Sequence, residues 1–272
     1  MKYSYISILS TDSYLFGALV LNKTLQNTYT KYPFNLLITP NISEETISIL
    51  KQAEINTILI EPIKNPILDD KKDRRYYNYS KLNMWNLTQF DKIIYLDADM
   101  IVMHNIDELF DKPNLSAVNS GGMIKKDWVQ LNSGLMVIEP SSAVFEDMRE
   151  QIGKIEKEKG KGDQAFLHQY FSDWPERDEL HLLHIYNLFD NHIEIHKKHF
   201  GFYLEEKSDN NLKFDPKRIK IIHFIGQTKP WNMIDEIKKS DKKDEQTNAQ
   251  KIWVKIYREV KKDIRNKLSE LT

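Results

Sequence analysis

The sequence has 272 residues, of which 40% are hydrophobic and 29% charged, so it predicts one globular domain with extensions. A formal net charge of −1 argues against a nucleic-acid partner, and the absence of about 18 consecutive apolar residues argues against a membrane span. Cysteine is absent, which excludes disulfides and thiolate chemistry, and the start does not read as a signal peptide. We therefore expect a cytoplasmic protein.

Short β-rich runs alternate with helical patterns over the first 140 residues. The strands are predicted at residues 5–9, 34–38, 57–60, 92–96 and 135–138. Helices are predicted over residues 13–25 and after Ser43, an N-cap followed by the acidic pair Glu44 and Glu45. This alternation predicts an α/β fold with a mostly parallel central sheet flanked by helices, and ligands at the carboxyl ends of the strands.

The second half of the chain is less regular. It predicts a helix from about residue 142 with a charged end at 154–161, a helix at 163–171 and a strand at 219–224. We divide the chain into a main domain (1–235), a charged connector (236–244) and a C-terminal amphipathic helix (245–272). The apolar stripe of that helix either packs on the domain or pairs with a second subunit in a homodimer; it comprises Trp253, Ile256, Val260, Ile264, Leu268 and Leu271.

Two aspartates, Asp97 and Asp99, follow the apolar strand predicted at residues 92–96. In an extended chain, residues two apart share a face, so both carboxylates can converge on one ligand. Two such anions repel unless a cation lies between them, and Mn²⁺ or Mg²⁺ would relieve the repulsion and also hold a diphosphate. The alternative is a turn with two solvated aspartates, because the pattern alone is too short to be specific.

His223 stands in a second apolar strand and is followed by Gly226 and Lys229. A neutral imidazole is a suitable third ligand for Mn²⁺, Gly226 allows close approach of the backbone, and Lys229 can neutralise a phosphate. The alternative for His223 is a hydrogen-bonded core residue between isoleucines. We assign structural roles to the other histidines considered, which are His181, His184, His192, His196 and His199.

Several short motifs carry a family resemblance over about residues 3–232. They are Thr11-Asp12-Ser13-Tyr14, Tyr79-Ser80-Lys81-Leu82, Asp97-Ala98-Asp99, Leu131-Asn132-Ser133-Gly134, Gly162-Asp163-Gln164, Ile185-Tyr186-Asn187-Leu188 and His223-Phe224-Ile225-Gly226. In order and spacing they resemble glycogenin and other family-8 glycosyltransferases. The resemblance implies a GT-A type nucleotide-diphospho-sugar transferase fold. It also implies Mn²⁺-dependent transfer of a hexose, glucose above others, from a UDP-sugar to an acceptor hydroxyl.

The resemblance assigns roles position by position. It implies metal binding by Asp97, Asp99 and His223, and catalytic roles for Asp163, Gln164 and Lys229. The residues implied to bind the donor are Ile8, Ser10, Thr11 and Tyr14 at the uracil and ribose, Asn132, Ser133, Asp163 and Gln164 at the sugar, Gly226 and Lys229 at the diphosphate, and Lys81 and Ala98 with no part of the donor specified. Arg74 or Arg75 is a further candidate charge there.

The resemblance also implies retention of configuration. We favour attack by the acceptor on the face that the diphosphate leaves, assisted by a phosphate oxygen, over a covalent intermediate on Asp163. The residues suit either course, because a metal and Lys229 stabilise the negative leaving group while Asp163 and Gln164 can orient the sugar.

The acceptor is where the sequence departs from the family. Glycogenin glucosylates one of its own tyrosines, which lies just beyond the segment that resembles residues 185–188. In this sequence residues 189–196 contain no tyrosine, and the next one downstream, Tyr203, does not align with the glycogenin tyrosine. Gly160 stands where the family has an acidic residue. Self-glucosylation at another residue therefore competes with transfer from UDP-glucose, UDP-galactose or UDP-xylose to an oligosaccharide, polyol or protein. A nucleotide-sugar-binding protein without turnover is the remaining alternative.

Overall fold

The computed structural model describes residues 1–68, 70, 76–121, 124–125, 127–154, 162–205 and 215–270, without the side chains of 267–270. Within these ranges a seven-stranded sheet forms the centre of the protein. Its strands, in order across the sheet, are β3 (Asn56–Leu59), β2 (Phe34–Ile38), β1 (Tyr3–Leu9), β4 (Lys92–Leu96), β7 (Leu131–Ile138), β6 (Ala117–Asn119) and β8 (His181–Leu182). Neighbours are parallel except where β7 meets β4 and β6, so the predicted mostly parallel sheet is confirmed.

A second sheet of three short strands completes the edge where the aspartates lie. Its order is β5 (Met100–Val102), β10 (Ile221–His223) and β9 (Leu188–Phe189). β10 is antiparallel to β5 and parallel to β9, and His223 pairs with both Met100 and Phe189. Because β5 follows Asp99 directly, this small sheet brings His223 beside the two aspartates, although they lie far apart in the sequence.

The α-helices cover both faces of the large sheet. They are α1 (Leu15–Asn27), α2 (Glu44–Gln52), α3 (Ser142–Gln151), α4 (Asp163–Tyr170), α5 (Ile193–Phe200), α6 (Ile234–Lys239) and α7 (Glu245–Glu270). The predicted N-cap of α2 is confirmed, since the Ser43 side chain accepts a hydrogen bond of 3.2 Å from the Thr46 backbone N–H. Alternating strand residues enter two cores: Tyr5 and Ile94 join the cluster containing α1 and α7, while Ile6 and Tyr95 join the cluster containing α3 and α4.

The apolar stripe of α7 packs on the domain, which was one of its two predicted fates. Trp253, Ile256 and Val260 are buried in the same cluster as the apolar face of α1, and Ile264 packs against that cluster. The side chains of Leu268 and Leu271 lie outside the described residues. The connection before α7 is shorter than predicted because α6 continues to Lys239. None of the helices in the described ranges combines the length and apolar character needed to cross a bilayer.

Candidate active site

A cleft of about 370 Å³ opens at the carboxyl ends of β1 and β4. Most predicted site residues line it: Ile8, Ser10, Thr11, Tyr14, Lys81, Asp97, Ala98, Asp99, Asp163, His223, Gly226 and Lys229. The wall also contains residues to which the sequence analysis gave no role, namely Tyr77, Asn78, Tyr95, Gly162 and Ile225. Asn132, Ser133 and Gln164 lie outside this described lining. Arg74, Arg75 and Gly160 lie outside the described residues.

The backbone of the Asp97–Asp99 segment is fixed from two sides. The Asp97 N–H donates to the Gly134 carbonyl on β7 at 2.8 Å, and the Asp99 carbonyl accepts from the Phe224 N–H at 2.9 Å. α1 packs directly on the carbonyl of Ala98, because a Cβ added at Gly17 would lie only 2.4 Å from that oxygen. The turn carrying both carboxylates is therefore a rigid part of the fold.

Three ligand atoms converge in the cleft. The His223 Nε2 lies 3.2 Å from one Asp99 oxygen and 3.9 Å from one Asp97 oxygen. One ligand atom from each of these residues lies within 4.8 Å of the other two, the spacing expected of groups that share a metal ion. The predicted meeting of Asp97, Asp99 and His223 is thus present in the structure.

The remaining oxygen of each carboxylate is held by another side chain. Asp97 Oδ1 accepts from the Tyr95 hydroxyl at 2.6 Å and forms an ion pair of 3.0 Å with Lys81. Asp99 Oδ2 accepts from Lys229 Nζ at 2.7 Å, and the same ammonium donates to the Phe224 carbonyl. These contacts turn Asp97 Oδ2 and Asp99 Oδ1 towards the imidazole.

Asp99 is ionised in this environment. Burial alone would raise the pKa of its carboxyl group, but the neighbouring His223 and Lys229 favour the charged form and hold that pKa well below its usual range. A carboxylate that stays charged while buried requires a positive partner, which here is the Lys229 ammonium, and its second neighbour is a ring nitrogen that can also bind a metal.

The chemistry of the three groups fits a divalent cation. His223 Nδ1 lies 3.0 Å from the side-chain oxygen of Asn187, which accepts a hydrogen bond from the Nδ1–H. In a neutral ring with this tautomer, the Nε2 lone pair faces the two carboxylates. A lone pair facing two anionic oxygens is repulsive unless a proton or a cation lies between them. Two carboxylate oxygens and one imidazole nitrogen are ligands suited to Mn²⁺.

The other end of the cleft is organised around Asp163, the first residue of α4. Its Oδ2 contacts Lys81 Nζ at 2.9 Å and accepts from the Ser133 hydroxyl at 3.2 Å, while its Oδ1 accepts from the Asn78 amide at 2.9 Å. The side chain of Gln164 accepts a hydrogen bond from the Ser133 N–H at 3.0 Å and donates one to the Ser120 hydroxyl at 3.4 Å. Both oxygens of Asp163 are therefore engaged.

Lys81 connects the two ends of the cleft. Its ammonium is buried between Asp163 and Asp97 and also donates to the Ser133 carbonyl at 3.2 Å. Burial would lower the pKa of Lys81, but the two carboxylates outweigh that effect and raise it above the usual value. Lys81 thus remains a fixed positive charge at neutral pH.

A cluster of three aromatic rings supports the wall beyond the aspartates. The Tyr14 ring meets Trp231 edge-on at 5.3 Å, and Trp231 rests on Trp253 of α7 at 5.7 Å. In the adjoining loop Gly226 has a φ of +94°, a backbone conformation that favours glycine. The C-terminal helix therefore supports the side of the cleft where the sequence predicts uracil binding.

Two hydrogen bonds hold the side chain of Asn132, one of the predicted sugar contacts. It is buried, and its side-chain oxygen accepts from the Gly134 N–H and from the Asn187 amide, each at 2.8 Å. The sequence analysis quoted Asn187 within a motif but gave it no role. Its place follows from the parallel pairing of β9 with β10, which sets it beside His223.

Comparisons with known proteins agree with the fold and the motifs. The sequence model described as Glycosyl transferase family 8 matches residues 5–235. UDP-glucuronate:xylan alpha-glucuronosyltransferase 2 of Arabidopsis thaliana is 34% identical over 231 residues, covering 84% of this chain and 35% of the plant protein. Glycogenin-1 of Homo sapiens is 32% identical over 256 residues, covering 89% of this chain and 66% of the human protein.

A solved structure extends the likeness to the whole fold. The apo-form glycosyltransferase GlyE of Streptococcus pneumoniae TIGR4 matches with a TM-score of 0.62, covering 99% of this chain and 64% of that chain. At 18% identity this likeness concerns the fold alone. The chain spans about a third of the length of the plant relative and about two thirds of the human one.

Proposed function

Because the chain belongs to glycosyl transferase family 8, we propose that it transfers a hexose, glucose in the first instance, from a UDP-sugar to an acceptor hydroxyl with retention of configuration. One observation carries this proposal. Asp97, Asp99 and His223 direct three ligand atoms to one point of the cleft whose wall also contains Asp163. The choice of glucose rests on the resemblance of the motifs to glycogenin. A cytoplasmic location belongs to the same proposal.

Asp97, Asp99 and His223 would hold Mn²⁺, or Mg²⁺ in its place. When bound, the cation supplies positive charge that stabilises the leaving diphosphate. Lys229 lines the same wall and holds the far oxygen of Asp99, so it keeps that carboxylate oriented and adds a second positive charge near the diphosphate. The residues after β1, including Tyr14, would receive the uracil and ribose at the neighbouring wall.

At the sugar end, Asp163 would present a fixed negative charge to the anomeric carbon, which becomes positive as the bond to the diphosphate breaks. Lys81, Ser133 and Asn78 engage both of its oxygens. A carboxylate with both oxygens engaged is poorly prepared to attack as a nucleophile. This favours attack by the acceptor on the departing face, assisted by a donor phosphate oxygen, over a covalent intermediate.

Glucuronate is the second candidate sugar, because the printed name of the plant relative is that of a UDP-glucuronate transferase. A glucuronate carboxylate would need a cationic partner at the sugar end. In the described lining the two lysines, Lys81 and Lys229, are each already paired with carboxylates. That arrangement supports a neutral sugar as the first choice.

A donor screen tests the proposal. The protein is incubated with Mn²⁺ and UDP-glucose, UDP-galactose, UDP-xylose or UDP-glucuronate, and release of UDP is measured with and without a chelator. We expect metal-dependent release that is fastest with UDP-glucose. Fastest release from another donor would replace glucose by that sugar. UDP binding with no release from any donor would support a binding protein without turnover, and no UDP binding would overturn the proposal.

The acceptor is tested separately by mass. Intact-mass spectrometry after incubation with UDP-glucose and Mn²⁺ should give hexose increments if the protein modifies itself. Tyr203 is 37% exposed and its hydroxyl donates to Asp215 at 2.8 Å, so peptide mapping should include it. An unchanged mass in the absence of added acceptor would contradict self-modification. Oligosaccharides, polyols and proteins would then be screened as acceptors.

A further inference from the structure

The face of His223 turned away from the aspartates is held by a chain of three hydrogen bonds. The Gly134 backbone N–H donates to Asn132 Oδ1 at 2.8 Å, and Asn187 Nδ2 donates to the same oxygen at 2.8 Å. His223 Nδ1 then meets Asn187 Oδ1 at 3.0 Å. A backbone amide of β7 is thus linked to the imidazole through two side-chain amides.

The direction of every bond in this chain follows from its first member. A backbone N–H can only donate, so the Asn132 atom that faces it is the oxygen. The Asn187 atom that faces this oxygen must then be the nitrogen, which leaves the Asn187 oxygen towards His223. That oxygen can only accept, so the proton lies on Nδ1 and the Nε2 of a neutral ring carries the lone pair.

Because the members of this hydrogen-bonded chain are buried, reversing the direction of these hydrogen bonds would be energetically costly. Asn132, Asn187 and His223 are 7%, 4% and 7% exposed, so water cannot readily replace a lost partner. The ring is also confined sterically. A Cβ added at Gly134 would lie 2.7 Å from His223 Cε1, and the Phe189 ring meets the imidazole edge-on at 5.6 Å.

We propose that Asn187 is a positioning residue that fixes the tautomer and orientation of His223 for a divalent cation, with Asn132 holding Asn187. This inference rests on the proposed metal-dependent function. The described side-chain hydrogen bonds of Asn187 and Asn132 go to each other, to Gly134 and to His223, not to the carboxylates. Such outer partners of a metal-binding histidine typically change metal affinity about 10–100-fold when removed.

The test measures Mn²⁺ affinity by calorimetry or by electron paramagnetic resonance, without nucleotide sugar. Asn187→Leu keeps the branched shape of the side chain but removes both amide bonds, and it should weaken Mn²⁺ binding about 10-fold or more. Asn132→Leu should act in the same direction. Because the two amides act in series, the double variant should bind about as weakly as Asn187→Leu alone.

Two further variants separate positioning from general stability. Asn83 is similarly buried at 6% exposure, and its amide donates to the Glu61 and Ser80 carbonyls, so Asn83→Leu should lower the melting temperature while leaving Mn²⁺ affinity unchanged. Asn132→Asp keeps an oxygen that accepts from both Gly134 and Asn187, and it should restore most of the affinity lost in Asn132→Leu.

The outcomes distinguish this inference from the proposed function. If the wild-type protein binds no Mn²⁺, the proposed metal-dependent function fails. Should the wild type bind Mn²⁺ while Asn187→Leu binds it equally well, only the inference is overturned. Additive losses in the double variant would also overturn it. If Asn187→Leu does not fold, Asn187→Ala provides the same comparison.

Discussion

Each end of the cleft contains a buried lysine paired with an aspartate, but the oxygens of the two aspartates have different partners. At one end a buried lysine, Lys229, pairs with Asp99, and at the other end Lys81 pairs with Asp163. Asp99 keeps one oxygen turned towards His223, as Asp97 does, whereas both oxygens of Asp163 are engaged by neighbouring donors. At the first end the ligand atoms of Asp97, Asp99 and His223 converge on one point. At the second end Asp163 presents a fixed negative charge.

This contrast separates two ways of using a carboxylate. An acid with one free oxygen directed at other ligand atoms is prepared to bind a cation. An acid whose oxygens are both held cannot easily move towards a ligand, so it acts through its charge and position. The variants below should therefore divide into those that change metal affinity and those that change turnover at saturating metal.

The largest effect is expected from Asp99→Ala. It removes a converging oxygen and leaves the buried Lys229 without that partner, so metal-dependent turnover should fall by about 10³-fold or more while the fold persists. Turnover is measured as UDP release, and folding by circular dichroism. Asp107→Asn is the control, because Asp107 accepts from Tyr5 and Thr30 away from the cleft. An active Asp99→Ala would remove Asp99 from the mechanism, and an unfolded one would make its role structural.

Asp163→Asn should separate the two ends most sharply. The amide keeps the shape of the side chain and loses its charge, so kcat should fall by about 10²-fold while Mn²⁺ affinity changes by less than about 3-fold. Kinetics at saturating Mn²⁺ and a separate metal titration measure the two quantities. A parallel loss of metal affinity would contradict the division of the cleft into two ends.

Gly134→Ala is expected to act at the metal end alone. The added Cβ would press on His223 Cε1 and on the Asn132 side-chain oxygen, and Mn²⁺ affinity should fall about 10-fold. Gly153→Ala is the matched control, because a Cβ added there meets none of the described residues within 4 Å apart from its chain neighbours. Unchanged Mn²⁺ affinity in Gly134→Ala would show that the ring can shift without loss.

Tyr95→Phe should give a smaller change at the same end. The variant removes one hydrogen bond of 2.6 Å to Asp97, while Lys81 still holds the same oxygen. The loss of about 1 kcal/mol corresponds to a several-fold weaker Mn²⁺ affinity. Tyr5→Phe makes the equivalent change at Asp107 and should leave Mn²⁺ affinity unaltered. Equal effects of the two variants would exclude a specific role for Tyr95.

The smallest effect is expected from a titratable group outside the cleft, and it concerns the free energy of unfolding. His196 on α5 is buried, and none of the described residues forms a hydrogen bond with its Nδ1. Burial, followed by His184 and His192, lowers the pKa of His196 to about 4. An unfolded histidine titrates near pH ~6.5, so between these values the unfolded chain binds the extra proton and the free energy of unfolding decreases as pH falls. His196→Gln should flatten that dependence in denaturation at pH 7 and 5. An unchanged slope would contradict this.

The sequence predicted those parts of the fold that carry a local pattern. Strands β1, β2 and β4 are continuous apolar runs, and α2 begins at a serine followed by two acids. The strands β5, β6, β8 and β9 were missed because each has only two or three residues and is defined by its neighbours. Strand β7 was predicted to begin at residue 135, and it begins at Leu131 because its polar start pairs with β6.

Residues of the candidate site, too, could be predicted only where the sequence carries a recognisable pattern. Asp97, Asp99 and His223 were selected because their side chains have metal-binding chemistry and match a family motif. Asn187, Tyr95 and Asn78 received no role, since an amide or a phenol in a buried segment has no distinctive pattern. Their contacts arise only when β9 pairs with β10 and when the segment containing Asn78 meets α4.

A crystal of the protein grown with UDP and Mn²⁺ tests the central claim most directly, through anomalous diffraction at the manganese edge. The expected result is one strong peak bounded by Asp97 Oδ2, Asp99 Oδ1 and His223 Nε2, with the diphosphate oxygens of UDP in contact with it. UDP bound in the cleft with no metal peak among these three atoms would contradict the account.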